Sequence, residues 1–115
     1  MARPSLQRTV HVANTLAEKI LIVHCRSKDD DLGGHAVAVN ETISWSFEPN
    51  LFWGTHFWCK LAVEDKRISL VAYDEESEYK TDYWYVCDDG VYGRDRVTGG
   101  RTYKAAWKRV WPRRR

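Results

Sequence analysis

The stretch Phe57-Trp58-Cys59-Lys60-Leu61-Ala62-Val63-Glu64-Asp65-Lys66-Arg67-Ile68-Ser69-Leu70-Val71-Ala72-Tyr73 decides the fold class. Phe57, Cys59, Leu61 and Val63 alternate with Trp58, Lys60, Ala62 and Glu64, the period-two pattern of a strand with one face inward. A second apolar run, Ile68 to Tyr73, follows after only Glu64-Asp65-Lys66-Arg67, so the pair reads as a β-hairpin. Working outward, Tyr83 to Val86 and Val91-Tyr92 flank Asp88-Asp89-Gly90, where glycine supplies the positive φ of a hairpin turn. Lys19 to Cys25 is apolar at nearly every position and predicts a strand inside a sheet. Thr9 to Ala13, Thr42 to Phe47 and Thr102 to Val110 are flanking strand candidates. The last is double-edged, because Tyr103, Ala105, Trp107 and Arg109 alternate while Lys104 to Lys108 also has fair helix propensity. About seven to eight short strands separated by Gly, Asp and Asn clusters predict an antiparallel sandwich or barrel.

A chain of 115 residues is one domain. Its six Trp, six Tyr and three Phe supply large apolar bodies for a core, and its 30% charged residues place it among globular sequences. No window holds the roughly 18 apolar residues of a membrane-spanning helix. The start, Met1-Ala2-Arg3-Pro4-Ser5-Leu6-Gln7-Arg8, has no apolar run of the signal-peptide kind. Charge is segregated. Residues 94–115 carry nine Arg or Lys against Asp95 alone, a charge of +8, which leaves −6 for the rest of a chain whose net is +2. Such a basic end favours encounters with anionic surfaces.

Several chemistries are weighed and set aside. His24, Cys25, His56 and Cys59 are a familiar zinc set, but neighbours in a strand point to opposite faces, so each segment offers one ligand and no metal site is expected. Three consecutive carboxylates, Asp29, Asp30 and Asp31, lack the spaced ligand ladder of a calcium loop and read as a solvated turn. No G-x-S-x-G elbow is present, a cysteine among Phe57 and Leu61 reads as packed or bridged, and Glu75, Glu76 and Glu78 read as a solvated charge run. No enzyme activity and no cofactor are expected, since no nucleophile, base and orienting group assemble. Cations interleaved with Tyr103, Trp107 and Trp111 suggest a single-strand platform, yet no nucleic-acid fold motif accompanies them and no nucleic-acid partner is expected. Most tryptophans are expected in the core; Trp53 and Trp58 stand beside a strand start, which favours core filling over exposed stacking on sugar or lipid.

Four segments taken together carry a resemblance: His24-Cys25-Arg26-Ser27-Lys28-Asp29-Asp30-Asp31-Leu32-Gly33, then Trp45-Ser46-Phe47, then Phe57-Trp58-Cys59, then Trp84-Tyr85-Val86 leading into Asp88-Asp89-Gly90-Val91-Tyr92. In this order and spacing, from about Val10 to Trp111, the chain resembles the plant self-incompatibility family, the S-protein homologues. The resemblance implies a small antiparallel β-sandwich that closes with a strand, secreted to the extracellular space, with a single disulfide. It implies a monomeric recognition protein, without catalysis, read by a cell-surface membrane protein acting as receptor. It also implies a mature form in which Met1-Ala2 replaces a leader. Cys25 and Cys59 occupy the family's strongest cysteine positions and are the implied pair, leaving Cys87 free. The two further cysteines that many members carry before the Trp84-like tryptophan are missing from Tyr79-Lys80-Thr81-Asp82-Tyr83, so a bridge from Cys87 to Cys25 or Cys59 stays open.

The organisation expected is a flexible segment 1–9, a sandwich domain 10–111 and a basic tail 112–115. Asn40-Glu41-Thr42 is a glycosylation sequon with meaning in a secreted chain. Exposed loops carry function on rigid scaffolds, which makes Lys28, Asp29, Asp30, Asp31, Glu75, Glu76, Glu78, Asp88 and Asp89 the candidate recognition residues. The alternative is binding to anionic wall or lipid through Lys108, Arg109, Arg113, Arg114 and Arg115.

Overall fold

The computed structural model describes residues 7–48, 54–75, 81–94 and 98–110. Among them are ten strands: β1 (Arg8–Asn14), β2 (Leu21–Arg26), β3 (Asp31–Val37), β4 (Thr42–Phe47), β5 (His56–Val63), β6 (Lys66–Asp74), β7 (Tyr83–Cys87), β8 (Gly90–Arg94), β9 (Arg101–Ala105) and β10 (Lys108–Arg109). They form two five-stranded sheets, ordered β4-β1-β7-β8-β9 and β10-β6-β5-β2-β3. The all-β sandwich with one disulfide is as expected, though richer in strands, and one pairing, β1 with β7, is parallel.

Alternation explains the core. Val10 and Val12 of β1, Trp84 and Val86 of β7 and Val91 of β8 face Leu21, Val23, Phe57, Leu61, Ile68 and Leu70 of the second sheet. Each such side chain removed from water contributes roughly 1.5–3 kcal/mol before entropy is charged against it. The rings of β4 interlock with the second sheet: Phe47 lies 4.6 Å from Phe57 and 4.8 Å from Tyr73, centroid to centroid. Trp84 adds a polar stitch between sheets, its Nε1 donating to the Ala72 carbonyl at 2.9 Å. Cys25 and Cys59 are paired directly across β2 and β5 and point into this core, and their sulfurs are bonded to each other. Cys87 is the free cysteine.

Three local findings refine the sequence reading. The β5–β6 turn is only Glu64-Asp65, since Val63 already pairs with Lys66, and Glu64 takes the left-handed conformation at φ 53°. The ambiguous segment Thr102 to Val110 is two strands in different sheets: β9 pairs with β8, the chain crosses at Ala106-Trp107, and β10 pairs with β6. Trp107 fills the corner and donates from Nε1 to the Cys87 carbonyl at 2.8 Å. β3 lies outside the strand candidates read from sequence, since Asp31 to Val37 has no apolar alternation. It is an edge strand with a bulge opposite Cys25, where Gly33 sits at φ 77°, a conformation glycine adopts without penalty.

Candidate functional site: the open end of the sandwich

Strand directions sort the connections into two ends. At one lie the turn 27–30, the start of β5 and the end of β6; at the other lie segments 15–20 and 38–41 and the turns 64–65 and 88–89.

The first end is open. A cleft of about 690 Å³ is walled by Arg26, the turn Ser27 to Asp30, Thr55, His56 and Trp58. Arg26 and Trp58, paired across β2 and β5, also line a shallower groove of about 400 Å³ that runs over Lys60, Ser69 and Val71 on the outer face of the second sheet. The turn is held by its own backbone: Ser27 N–H donates to the Asp30 carbonyl at 2.8 Å, and Asp30 N–H to Ser27 Oγ at 3.0 Å. Lys28 and Asp29 are exposed on that rigid support. Asp31 begins β3 and accepts from His24 Nε2 at 2.6 Å and Gly33 N–H at 2.9 Å. The Gly33 amide first, and His24 second, hold its carboxyl below the ordinary value of 3.8. Opposite, His56 Nε2 donates to Asp74 at 2.9 Å and its ring stacks on Trp58 at 5.8 Å. Trp58 is 44% exposed, which corrects its expected place in the core: it is out of phase with Phe57 and Cys59, so the alternation that buries them turns it outward.

The second end is closed, and several of its polar groups are committed to the protein itself. Asn14, fully buried, donates from Nδ2 to the carbonyls of Lys19 at 2.8 Å and Val37 at 2.9 Å, while its Oδ1 accepts from Leu16 N–H at 2.9 Å. Asp88 accepts from Ala17 N–H at 3.1 Å and lies 3.9 Å from Lys19 Nζ. Asp89 accepts from Tyr92 Oη at 2.7 Å, and that bond, before partial burial, pushes the Tyr92 phenol up to about 12. Arg109 lies 3.4 Å from Asp65. Gly90 closes the turn at φ 147°, with no room for a Cβ, which would fall 2.2 Å from the Ala105 carbonyl oxygen.

The structure therefore divides the expected recognition residues. Lys28, Asp29 and Asp30 line the cleft, and Asp31 is tied down beside it. Glu75 lies at the open end but accepts from Tyr73 Oη, and its N–H donates to the Thr55 carbonyl at 2.9 Å. Asp88 and Asp89 sit at the closed end, engaged in holding it together. Glu76, Glu78, Arg113, Arg114 and Arg115 lie outside the described residues, as do Trp53 and Trp111. Lys108 and Arg109 stand opposite Arg67 and Lys66 at the closed end, four cations on one sheet edge. Asn40 is exposed in a turn at that same end, at φ 65°. Arg26 and the His56–Asp74 pair were missed from sequence; for Arg26 the strand parity shared with His24 was the available signal.

The described residues thus form a disulfide-bonded sandwich that sets a polar turn beside an exposed tryptophan. A profile of the plant self-incompatibility protein S1 family matches residues 9–107, and the chain belongs to that family, a class of plant recognition and signalling proteins. It is 28% identical over 109 residues to S-protein homolog 74 of Arabidopsis thaliana, covering 89% of this chain and 72% of that protein. S-protein homolog 21 of the same plant is 39% identical over 95 residues, 73% of this chain and 71% of the relative. Self-incompatibility protein S1 of Papaver rhoeas is 36% identical over 80 residues, covering 64% of this chain and 57% of its own length.

Proposed function

We propose that this protein is a secreted ligand, read without catalysis by a cell-surface membrane protein that docks on the open end. The observation that carries the reading is the turn Ser27 to Asp30, which presents Lys28 and Asp29 over the cleft on a backbone that needs no ordering at binding. Exposed Trp58 and Arg26 beside it are the residue types that anchor protein interfaces. Secretion is supported by the Cys25–Cys59 bridge, which forms in oxidising compartments, and by the accessibility of the Asn40 sequon. A binding role fits the bond between Cys25 and Cys59, which leaves neither sulfur as a nucleophile.

The test is saturable binding of labelled protein to intact plant cells at physiological ionic strength. A Lys28→Ala, Asp29→Ala, Trp58→Ala protein that folds normally should lose it. Retention of full binding by that variant sinks the reading.

A second reading rests on Lys66, Arg67, Lys108 and Arg109. Arg109 is paired with Asp65, while Lys66, Arg67 and Lys108 crowd beside it, and an anionic wall or lipid surface would relieve their repulsion. Binding by this route falls steeply between low and high salt, whereas a shape-specific contact persists.

A further inference from the structure

The two outer faces of the sandwich differ in kind. On the second sheet, Ile22, Ala62 and Val71 surround Arg26, Trp58 and Lys60. On the first sheet, strand parity turns outward Thr9 and His11 of β1, Ser44 and Ser46 of β4, Tyr83 and Tyr85 of β7, Tyr92 and Arg94 of β8, and Arg101 and Tyr103 of β9. No solvent-exposed aliphatic side chain interrupts this set among the described residues. Its aromatic members form two groups on neighbouring strands: Tyr83 and Tyr85 are 5.0 Å apart with His11 stacked on Tyr83 at 5.0 Å, Tyr92 meets Tyr103 at 5.3 Å, and Tyr85 and Tyr92 are cross-strand partners.

Over these rings lie two cations. Arg94 sits 4.9 Å above Tyr83 and Arg101 sits 3.9 Å above Tyr85, and the two arginines are direct cross-strand partners. Like charges so placed repel. Asp82 engages Arg94 through one nitrogen at 3.3 Å, and exposed Arg101 stacks on the Tyr85 ring. Stacking holds a guanidinium in a fixed plane, with its donor fork free for a carboxylate. Adjacent forks above adjacent rings suit anions repeated along one chain. Surrounding hydroxyl and imidazole groups, paired as Thr9 with Ser46 at 2.8 Å and His11 with Ser44 at 2.6 Å, suit a ligand rich in hydroxyls.

We propose that the outer face of the first sheet binds a polyuronate, an acidic polysaccharide whose carboxylates seat on Arg94 and Arg101 and whose sugar rings lie along the tyrosines. None of these residues lines the cleft, and the face belongs to the other sheet from the Lys108–Arg109 edge. One molecule can therefore hold a wall polysaccharide while its cleft stays free.

Calorimetric titration of the purified protein with de-esterified oligogalacturonate tests it, with methyl-esterified oligomer and polyglutamate as comparison probes. Saturable binding of the de-esterified oligomer is expected, with both comparison probes weaker. Arg101→Ala, at an exposed position that leaves folding intact, should weaken binding about tenfold, the usual worth of a charge-assisted hydrogen bond. Arg101→Lys, which keeps charge and loses the fork, should also weaken it. The double variant Lys108→Ala, Arg109→Ala should bind as the parent does. Equal affinity for polyglutamate, unchanged affinity in Arg101→Ala, loss in the Lys108 and Arg109 variant, or no binding at all would each overturn the proposal.

Discussion

The two ends of this sandwich carry similar residues and use them oppositely. At the closed end Asn14, Asp88 and Asp89 spend their oxygens and N–H groups on the protein itself, pulling segment 15–20 and the turns onto the sheets. At the open end Lys28 and Asp29 are exposed, because the turn beneath them is closed by Ser27 and Asp30 backbone and hydroxyl groups instead. An aspartate in a turn is thus a recognition candidate or a structural strut according to what lies within reach of its carboxyl. Sequence pattern does not distinguish the two.

Mutation at the two ends should separate stability from binding. The largest loss is expected from Cys59→Ala. Freeing a loop with a sequence separation of 34 residues costs about 3–4 kcal/mol, visible as a lower urea midpoint at a slope set by the exposed surface. Asn14→Ala should cost about 3 kcal/mol, since three hydrogen bonds vanish and two carbonyls and an N–H are left without this partner. A variant as stable as the parent would erase the structural distinction between the ends. Asp88→Ala, at an exposed strut, should cost no more than about 1 kcal/mol. Lys28→Ala should fall within about 0.5 kcal/mol and act only on partner binding.

Acid and alkali probe the same contrast. The Asp31 carboxyl is held down in the folded protein, so its contribution is present above pH 3.8 and disappears as pH falls through the folded value. Asp31→Asn should therefore flatten the acid limb of a stability–pH curve below 3.8, where the parent falls. Tyr73 runs the other way. Burial first, and Glu75 second, raise its phenol from 10.0 to about 12, so the contribution is intact below pH 10 and is lost as pH rises through about 12. Tyr73→Phe should lessen the alkaline dependence, measured by circular dichroism at increasing pH, and leave the share carried by Tyr92.

Much of the fold was legible because alternation is a local property. β4 falls where Thr42 to Phe47 predicted it, and the hairpins β5–β6 and β7–β8 follow from apolar runs separated by short turns. β3 escaped because its glycines and polar residues carry no burial signal, and its partner β2 decides that it is a strand. The split of Thr102 to Val110 escaped for a related reason: alternation continues through Trp107, and only the neighbouring strand tells which sheet each half joins.

The sequence by itself determined the period-two faces, the all-β class, the three cysteines, the segregation of charge and the family resemblance, all of which depend on residue order. Tertiary structure decided which cysteines meet, that Trp58 borders a cleft, that Asp88 is a strut while Asp29 is exposed, and that four tyrosines and two arginines from β7, β8 and β9 share one face. Those outcomes depend on which strands become neighbours. Neighbourhood is set by the pairing of whole sheets around a common core, a long-range choice that no local pattern encodes.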